Sequence, residues 1–355
     1  MVKQGYEITI VVPNDFTAKE TLPNVTYHFI SFNQKIVKAY SNIFSFIQVF
    51  LFVKKTKPDL IISYTLVPNI MGSLIGSRLK IPVINNITGL GSLFVSTSLV
   101  NPIIKKTFKY TLSTSYKTIV LNKDDYDYLL SIQFIQKEKL LLLNGEGVDE
   151  IKFSPEKYKT ESYNTNTPKH VFTFLFIGRL LKEKGIIEFI EAAQYILNQN
   201  PTKNIAFQII GEFDTGNRSV ISPTQLSSLI EKYPGIHYLG FQDNIPSYIA
   251  NSNCVVLPSY REGMPRVLLE AASMQKPIIA TAVAGCSDLV IPNYNGLLCQ
   301  SKDVMSLASS MQVMLEMPAP TLEQMGLNGR KLILEKFTST IINQKYHSIL
   351  QTIID

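Results

Sequence analysis

The sequence predicts an α/β protein made of two doubly wound, Rossmann-like domains, each a parallel sheet with helices on both faces. Three observations lead there. Short apolar runs alternate with longer segments of helical period along the whole chain, the pattern of parallel strands joined by crossover helices. A stretch rich in Ser, Thr, Asn, Lys and Pro at residues 154–169 interrupts that alternation near the middle and reads as a linker. The 355 residues, 45% of them apolar, supply two cores. The expected division is 1–153, 154–338, and a closing amphipathic helix at 339–355.

The elements follow in order. Val2-Lys3-Gln4-Gly5 reads as the last turn of a helix, a basic residue followed by a glycine stop. A first strand and helix are therefore expected to be missing from the first domain, as a start codon assigned too late would explain. Residues 6–12 alternate as a strand, and strand-like runs recur at 25–30, 59–63, 82–86, 117–121 and 139–143. Helical patterns lie between them at 39–53, 69–79 and 102–115. The second series of strands is expected at 171–177, 204–210, 237–239, 254–257, 276–280 and 296–299. There is no short internal repeat. Two halves of this kind hold a ligand at the carboxyl ends of their strands.

Charge is uneven. The net +6 comes from 16 Lys and Arg against 11 Asp and Glu in residues 1–150, and 18 against 17 in the rest. No nucleic-acid motif accompanies the excess, so an anionic membrane surface or a diphosphate substrate suits it better than nucleic acid. Cys254, Cys286 and Cys299 have neither a disulfide framework nor metal spacing and suit a reducing cytosol. No secretory leader or bilayer-length apolar run is seen; the most hydrophobic stretch, 43–53, is short and ends in Lys54-Lys55. The expected location is cytoplasmic, peripheral on the inner face of the membrane. Two segments could form the membrane face. In the first, Phe44, Phe46, Ile47, Phe50, Leu51 and Phe52 precede Lys54, Lys55 and Lys57. Its apolar residues do not keep to one face, so a core helix with a basic end is the favoured reading. In the second, 102–117, Ile103, Ile104 and Phe108 interleave with Lys105, Lys106 and Lys109, which favours the membrane.

The densest chemistry lies in Tyr260-Arg261-Glu262-Gly263-Met264-Pro265-Arg266-Val267-Leu268-Leu269-Glu270, after an apolar strand. Pro265 suits the first helical position. Met264 before it has no side-chain oxygen to cap, so the first N–H groups lack an evident acceptor and suit a phosphate. Arg261 and Arg266 add positive charge. Glu262, close to where an anion would sit, is better placed to accept from neutral hydroxyls. Glu270, among Leu268, Leu269, Ala271 and Ala272, needs donors such as a vicinal diol. The plainer alternative is a solvated Glu262 and a surface Glu270 on an ordinary helix.

Two glutamates separated by seven residues, with glycine after the first, resemble the signature of the retaining glycosyltransferases of family 4, which have the GT-B fold. That resemblance implies a hexosyltransferase in which Glu262 contacts the transferred sugar and Glu270 the nucleotide ribose. The intervening Gly263, Met264, Arg266 and Val267 would hold the diphosphate. In Phe176-Ile177-Gly178-Arg179-Leu180-Leu181-Lys182-Glu183-Lys184-Gly185, Gly178 would permit a tight turn. Arg179 and Lys184 resemble the family's cation pair that neutralises the donor diphosphate, so neither a catalytic metal nor a cofactor is expected; Lys182 reads as solvated. Phe241 and Gln242, in a turn after the third strand of the second domain, would meet the nucleobase, although Phe241 could equally be core. The turn at Ser287 and Asp288 also fits the family and reads as a capped helix start.

In the first domain, Asn85-Asn86-Ile87-Thr88-Gly89-Leu90-Gly91-Ser92 ends a strand in a glycine-rich turn able to approach a ligand. Many family members have a histidine near this point; this chain has none there. The run resembles a subgroup that extends sugars on polyprenyl diphosphate, which makes Asn86, Thr88 and Gly89 the acceptor-side candidates. The implied partners are a UDP-sugar and a polyprenyl-diphosphate-linked sugar. Two rivals stand beside this reading: a GT-B UDP-sugar 2-epimerase, and an inactive nucleotide-sugar-binding protein lacking its first β-α unit.

Overall fold

Apolar runs make the strands of this chain, and those at 172–177, 205–210, 254–257 and 278–281 are largely buried on both faces, as parallel sheets require. The computed structural model describes residues 2, 5–14, 22–31, 39–90, 102–158, 171–214, 216–217 and 219–354. It falls into two compact units: Met1–Val120 with Asp125–Leu143 and Asn343–Asp355, and Leu121–Asp124 with Asn144–Ile342. Residues 144–153, placed in the first domain by the sequence, thus group with the second unit, and most of the last helix groups with the first.

The first unit holds β1 (Ile8–Pro13), β2 (Val25–Ile30), α1 (Ala39–Thr56), β3 (Ile61–Tyr64), α2 (Leu66–Leu79), β4 (Val83–Ile87), α3 (Pro102–Thr114), β5 (Lys117–Val120), α4 (Lys123–Ser131) and β6 (Leu140–Leu142). β1 and β2 pair in parallel, and β3-β4-β5-β6 form a second parallel sheet. Helix α2 starts three residues before the expected Asn69. Pro68 interrupts the pattern on paper, but in a first turn its missing N–H costs nothing. A Cβ added at Gly76 would stand 2.2 Å from Val83, so α2 lies close on β4. Beneath it Ser63, Ser73 and Asn85 are buried and satisfy one another, with Ser63 Oγ donating to Asn85 Oδ1 at 2.9 Å. Phe108 and Leu112 of α3 are core, packed with Ile87, Val120 and Leu129. Phe108 is therefore no part of a membrane face, and Ile103 and Ile104 fall outside the described side chains.

The second unit holds β7 (Phe172–Ile177), α5 (Ile186–Gln199), β8 (Ile205–Ile210), α6 (Pro223–Ile230), β9 (Ile236–Tyr238), α7 (Ile245–Asn251), β10 (Cys254–Leu257), α8 (Arg266–Ser273), β11 (Ile278–Thr281), α9 (Cys286–Leu289), β12 (Gly296–Cys299), α10 (Val304–Glu316) and α11 (Ala319–Lys336). The closing helix α12 (Ser339–Ile354) follows. One parallel sheet runs β12-β11-β10-β7-β8-β9. The chain lays β7, β8 and β9 outward in one direction, then returns to β7 and lays β10, β11 and β12 the other way. That reversal leaves a crevice at the carboxyl ends of β7 and β10, which pair through Cys254 and Phe174. Helix α5 turns Ile186, Phe189, Ile190, Ala193 and Ile196 inward at helical spacing. They meet Phe174, Phe176, Phe207 and Met311 in the larger core. The three cysteines are buried in this unit as free thiols, and burial pushes each of their pKa values up, that of Cys299 to about 12. Among the described residues no helix is long and apolar enough to cross a membrane.

Candidate active site

Of the donor-side candidates of the second unit, Gly178, Arg179 and Lys184 follow β7 and the residues from Glu262 to Glu270 follow β10, the two strands at that reversal point, whereas Phe241 and Gln242 follow the edge strand β9. The turn after β7 is not made where the sequence suggests. Gly178 has no left-handed backbone; its N–H continues the ladder to Ile210 O at 3.0 Å. A Cβ added there would meet only the Phe176 ring, at 3.6 Å, which leaves the backbone approachable. The sharp turn is at Gly185, φ 74°, where a Cβ would stand 2.1 Å from Pro258 O. This contact brings the loop after β7 against the loop after β10, and the Tyr260 N–H donates to Glu183 O at 2.9 Å. Gly211 has a matching role at the end of β8: a Cβ would fall 1.9 Å from Gly178 O.

Across these two loops Lys184 Nζ meets Glu262 Oε1 at 2.5 Å, with the side chains 23% and 10% exposed. Glu262 therefore already holds an ammonium, where the sequence suggested neutral hydroxyls. A carboxylate so far out of water requires a charged or strong donor, and Lys184 supplies it. Arg179 Nη1 reaches Asp214 Oδ2 at 2.7 Å in a more open setting, its side chain 51% exposed. Both cations assigned to a diphosphate are thus held by carboxylates.

Helix α8 begins at Arg266, and Pro265 is its N-cap, one residue before the position expected. Extended at φ −74° and ψ 115°, Pro265 offers its carbonyl to Leu268 N, and no side chain caps the start. The loop before it is fixed from two sides. Asn122 Nδ2 donates to Gly263 O at 2.9 Å, and Gly285, φ 75°, lies so close that a Cβ would stand 2.3 Å from the same oxygen. Met264 is buried, and a Cβ at Gly145 would sit 2.5 Å from its Cγ. Val267 is half-buried, whereas Arg266 is exposed and stands 3.9 Å from Glu270. Burial pushes the Glu270 carboxyl up to about 7 against the pull of Arg266 and Lys152.

Phe241 projects into solvent after Gly240, φ 71°, and is not core; the Gln242 side chain donates to Leu239 O at 2.6 Å. Asp288 accepts from Gly285 N at 3.2 Å, the capped start read from the sequence. The acceptor-side candidates stand in the first unit, after β4. Asn86 is buried; its amide donates to Ser63 O at 3.2 Å and its oxygen accepts from Tyr346 of α12, so it fastens the last helix to β4. Thr88 is half-buried and Gly89 takes φ 143°. Gly91 and Ser92 lie outside the described residues.

Sequence reasoning missed Gly185, Gly211, Gly285, Asn122 and one further contact. Tyr260 Oη donates to Glu188 Oε1 at 2.6 Å while Lys302 Nζ stands 4.8 Å from the Tyr260 ring centre. What marks these residues is contact across loops.

Comparison with known proteins decides the family. The profile described as Glycosyl transferases group 1 matches residues 158–332, and the one described as Glycosyl transferase 4-like matches 1–122. The chain belongs to the GT-B glycosyltransferases. Among relatives of this glycosyltransferase is the N,N'-diacetylbacillosaminyl-diphospho-undecaprenol α-1,3-N-acetylgalactosaminyltransferase of Campylobacter jejuni. It is 27% identical, over 98% of this chain and 92% of the relative. The UDP-Gal:α-D-GlcNAc-diphosphoundecaprenol α-1,3-galactosyltransferase of Escherichia coli is 25% identical, over 75% and 69%. In fold the chain is similar to sucrose-phosphate synthase from Thermosynechococcus elongatus, with a TM-score of 0.83, 19% identity, and coverage of 99% and 90%.

Proposed function

We propose that this enzyme moves a hexose or N-acetylhexosamine, with retention, from a UDP-sugar to a lipid-diphosphate-linked sugar during synthesis of a cell-surface polysaccharide, working at the cytoplasmic face of an anionic membrane. The named activities of the two bacterial relatives support the donor and acceptor classes. The observation that carries the reading is the Lys184–Glu262 pair, set at the reversal point beside the uncapped start of α8.

The reaction breaks the bond from the anomeric carbon to the diphosphate oxygen, and the electron pair leaves with the phosphate. Charge growing there meets Lys184, Arg179 and the first N–H groups of α8. A diphosphate competing for Lys184 loosens its hold on Glu262 and frees that carboxylate to accept from the sugar's hydroxyls. Glu270 accepts from the ribose diol, and Phe241 offers a ring to the base. The acceptor hydroxyl attacks the face the diphosphate leaves and gives its proton to the departing phosphate oxygen, so charge and atoms balance.

The test is to incubate the full chain with UDP-sugars and a polyprenyl-diphosphate-linked sugar and to weigh the lipid product. A gain of one sugar residue supports transfer. An isomerised free sugar points to epimerisation, and UDP binding without turnover points to an inactive binder; either result refutes the proposal. Arg179→Ala and Lys184→Ala are expected to weaken UDP binding about tenfold or more, on the scale of a charge-assisted hydrogen bond.

A further inference from the structure

Helix α1 separates its apolar residues in a way its sequence hides. One side faces β2: Ser45 Oγ donates to Ser31 O, Gln48 Oε1 accepts from Ser31 N at 3.1 Å, and the Phe52 ring stacks on His28 at 3.9 Å between centres. Ile43, Phe44, Ile47 and Leu51 fall within an arc of about 100° at 3.6 residues per turn, and each is roughly half exposed, 47–57%. The favoured sequence reading, a core helix, is therefore wrong for this arc. Next to it Phe46 and Phe50 line an open groove of about 590 Å³ that is completed by Leu74, Ser77 and Arg78 of α2 and by Tyr110 of α3. A monomer in water gains nothing by leaving such a stripe continuous with an apolar groove.

The charge around it names the occupant. Residues 39–90 and 102–114, which hold α1, α2 and α3, carry eight Lys and Arg against a single acid, Asp59. Lys54 and Lys55 end α1 in line with the stripe, and Lys57, Arg78 and Lys80 are exposed nearby. An apolar face bordered by unopposed cations matches a bilayer of anionic lipid, the acyl region meeting the stripe and the headgroups meeting the cations. A protein partner or a second copy of this chain would have to carry a strongly acidic surface, and this face has none to offer.

We infer that the α1 stripe and the α1–α2–α3 groove form the surface by which the first unit docks on an anionic bilayer, with an acyl chain seated along Phe46, Phe50 and Leu74. This deepens the membrane part of the proposed function by naming the residues that make it.

The chain contains no tryptophan, so Phe50→Trp and Leu51→Trp each place a single reporter on the surface. In vesicles of phosphatidylcholine with phosphatidylglycerol, both are expected to shift to the blue and to be quenched by lipid brominated on its acyl chain. The unmodified full chain should sediment with these vesicles about tenfold more than with phosphatidylcholine alone, and less as salt rises. Ile47→Glu, at an exposed position where folding is not at stake, should lower vesicle binding about tenfold; Lys54→Glu should lower it and flatten the salt dependence. Equal binding to neutral vesicles, unchanged binding of Ile47→Glu, unquenched tryptophan, or a dimer abolished by Ile47→Glu in place of vesicle binding would each overturn the inference. Transfer to a water-soluble, short-chain diphosphate acceptor separates the two proposals. Ile47→Glu should leave it unchanged, and its absence in the unmodified chain refutes the transfer reading whatever the vesicles show.

Discussion

Helices α5 and α1 are both apolar enough to be core helices, yet one is and the other is not. The 14 residues of α5 place Ile186, Phe189, Ile190, Ala192, Ala193 and Ile196 against the six-stranded sheet of the second unit. The 18 residues of α1 keep four large apolar side chains outside. The difference teaches that hydrophobic content sets whether a helix is buried only where a sheet face is wide enough to receive it. The second unit seals its sheet and puts its chemistry at the strand ends, whereas the first unit turns an apolar flank outward.

Five substitutions break or sharpen this contrast. Phe189→Ala should destabilise the second unit by about 3–5 kcal/mol in denaturant unfolding, because it empties a fully buried site. Phe44→Ala on α1 should cost under about 0.5 kcal/mol; similar losses at both sites would erase the distinction.

Glu270 comes next. Its carboxyl, raised to about 7 by burial, takes up a proton in the folded state more readily than in the unfolded chain. Stability tied to this group is therefore present below the unfolded pKa of about 4.5 and is lost as pH rises through about 7, by up to about 3 kcal/mol. Glu270→Gln should flatten that window in urea titrations at several pH values. If the ionised carboxylate receives the ribose diol, UDP affinity should rise through the same window and the rise should vanish in Glu270→Gln.

Gly185→Ala should cost about 2 kcal/mol, from its positive φ and from the approach of Pro258 O. It should also weaken UDP binding, since Gly185 joins the two loops that carry Lys184 and Glu262. A thermal scan and a UDP titration check both. A smaller effect than that at Gly185 belongs to Ser222, whose side chain caps α6 in a reciprocal box with Gln225. Ser222→Ala should cost about 1 kcal/mol and leave UDP binding as it was.

The parallel sheets were legible because strands buried on both faces read as unbroken apolar runs: 254–257 and 296–299 were located to the residue, and most others within two. The first turn of α2, which contains Pro68, lay outside the run read as helical, 69–79. At the site, what lies along one stretch of chain could be read: Glu262, the bare start of α8, and Glu270 share eleven consecutive residues with Tyr260. What joins distant stretches could not. Neither Lys184 with Glu262 nor Tyr260 with Glu188 has a spacing that one sequence can reveal, and nothing in the composition of Gly185 and Gly285 distinguishes them from other glycines. The arc of α1 that stays outside is equally silent in sequence, because it depends on which side meets β2.

The buried thiols lead to a practical result. Cys254, Cys286 and Cys299 all stand in the second unit, and the first has no cysteine at all. Each is shielded and held in its unreactive protonated form, so a maleimide or disulfide reagent should modify none of them until their surroundings open. Labelling would then act as a stopwatch for one half of the chain. Saturating UDP should slow it if the nucleotide binds there, while vesicles gripping the other half should leave it running at its own pace.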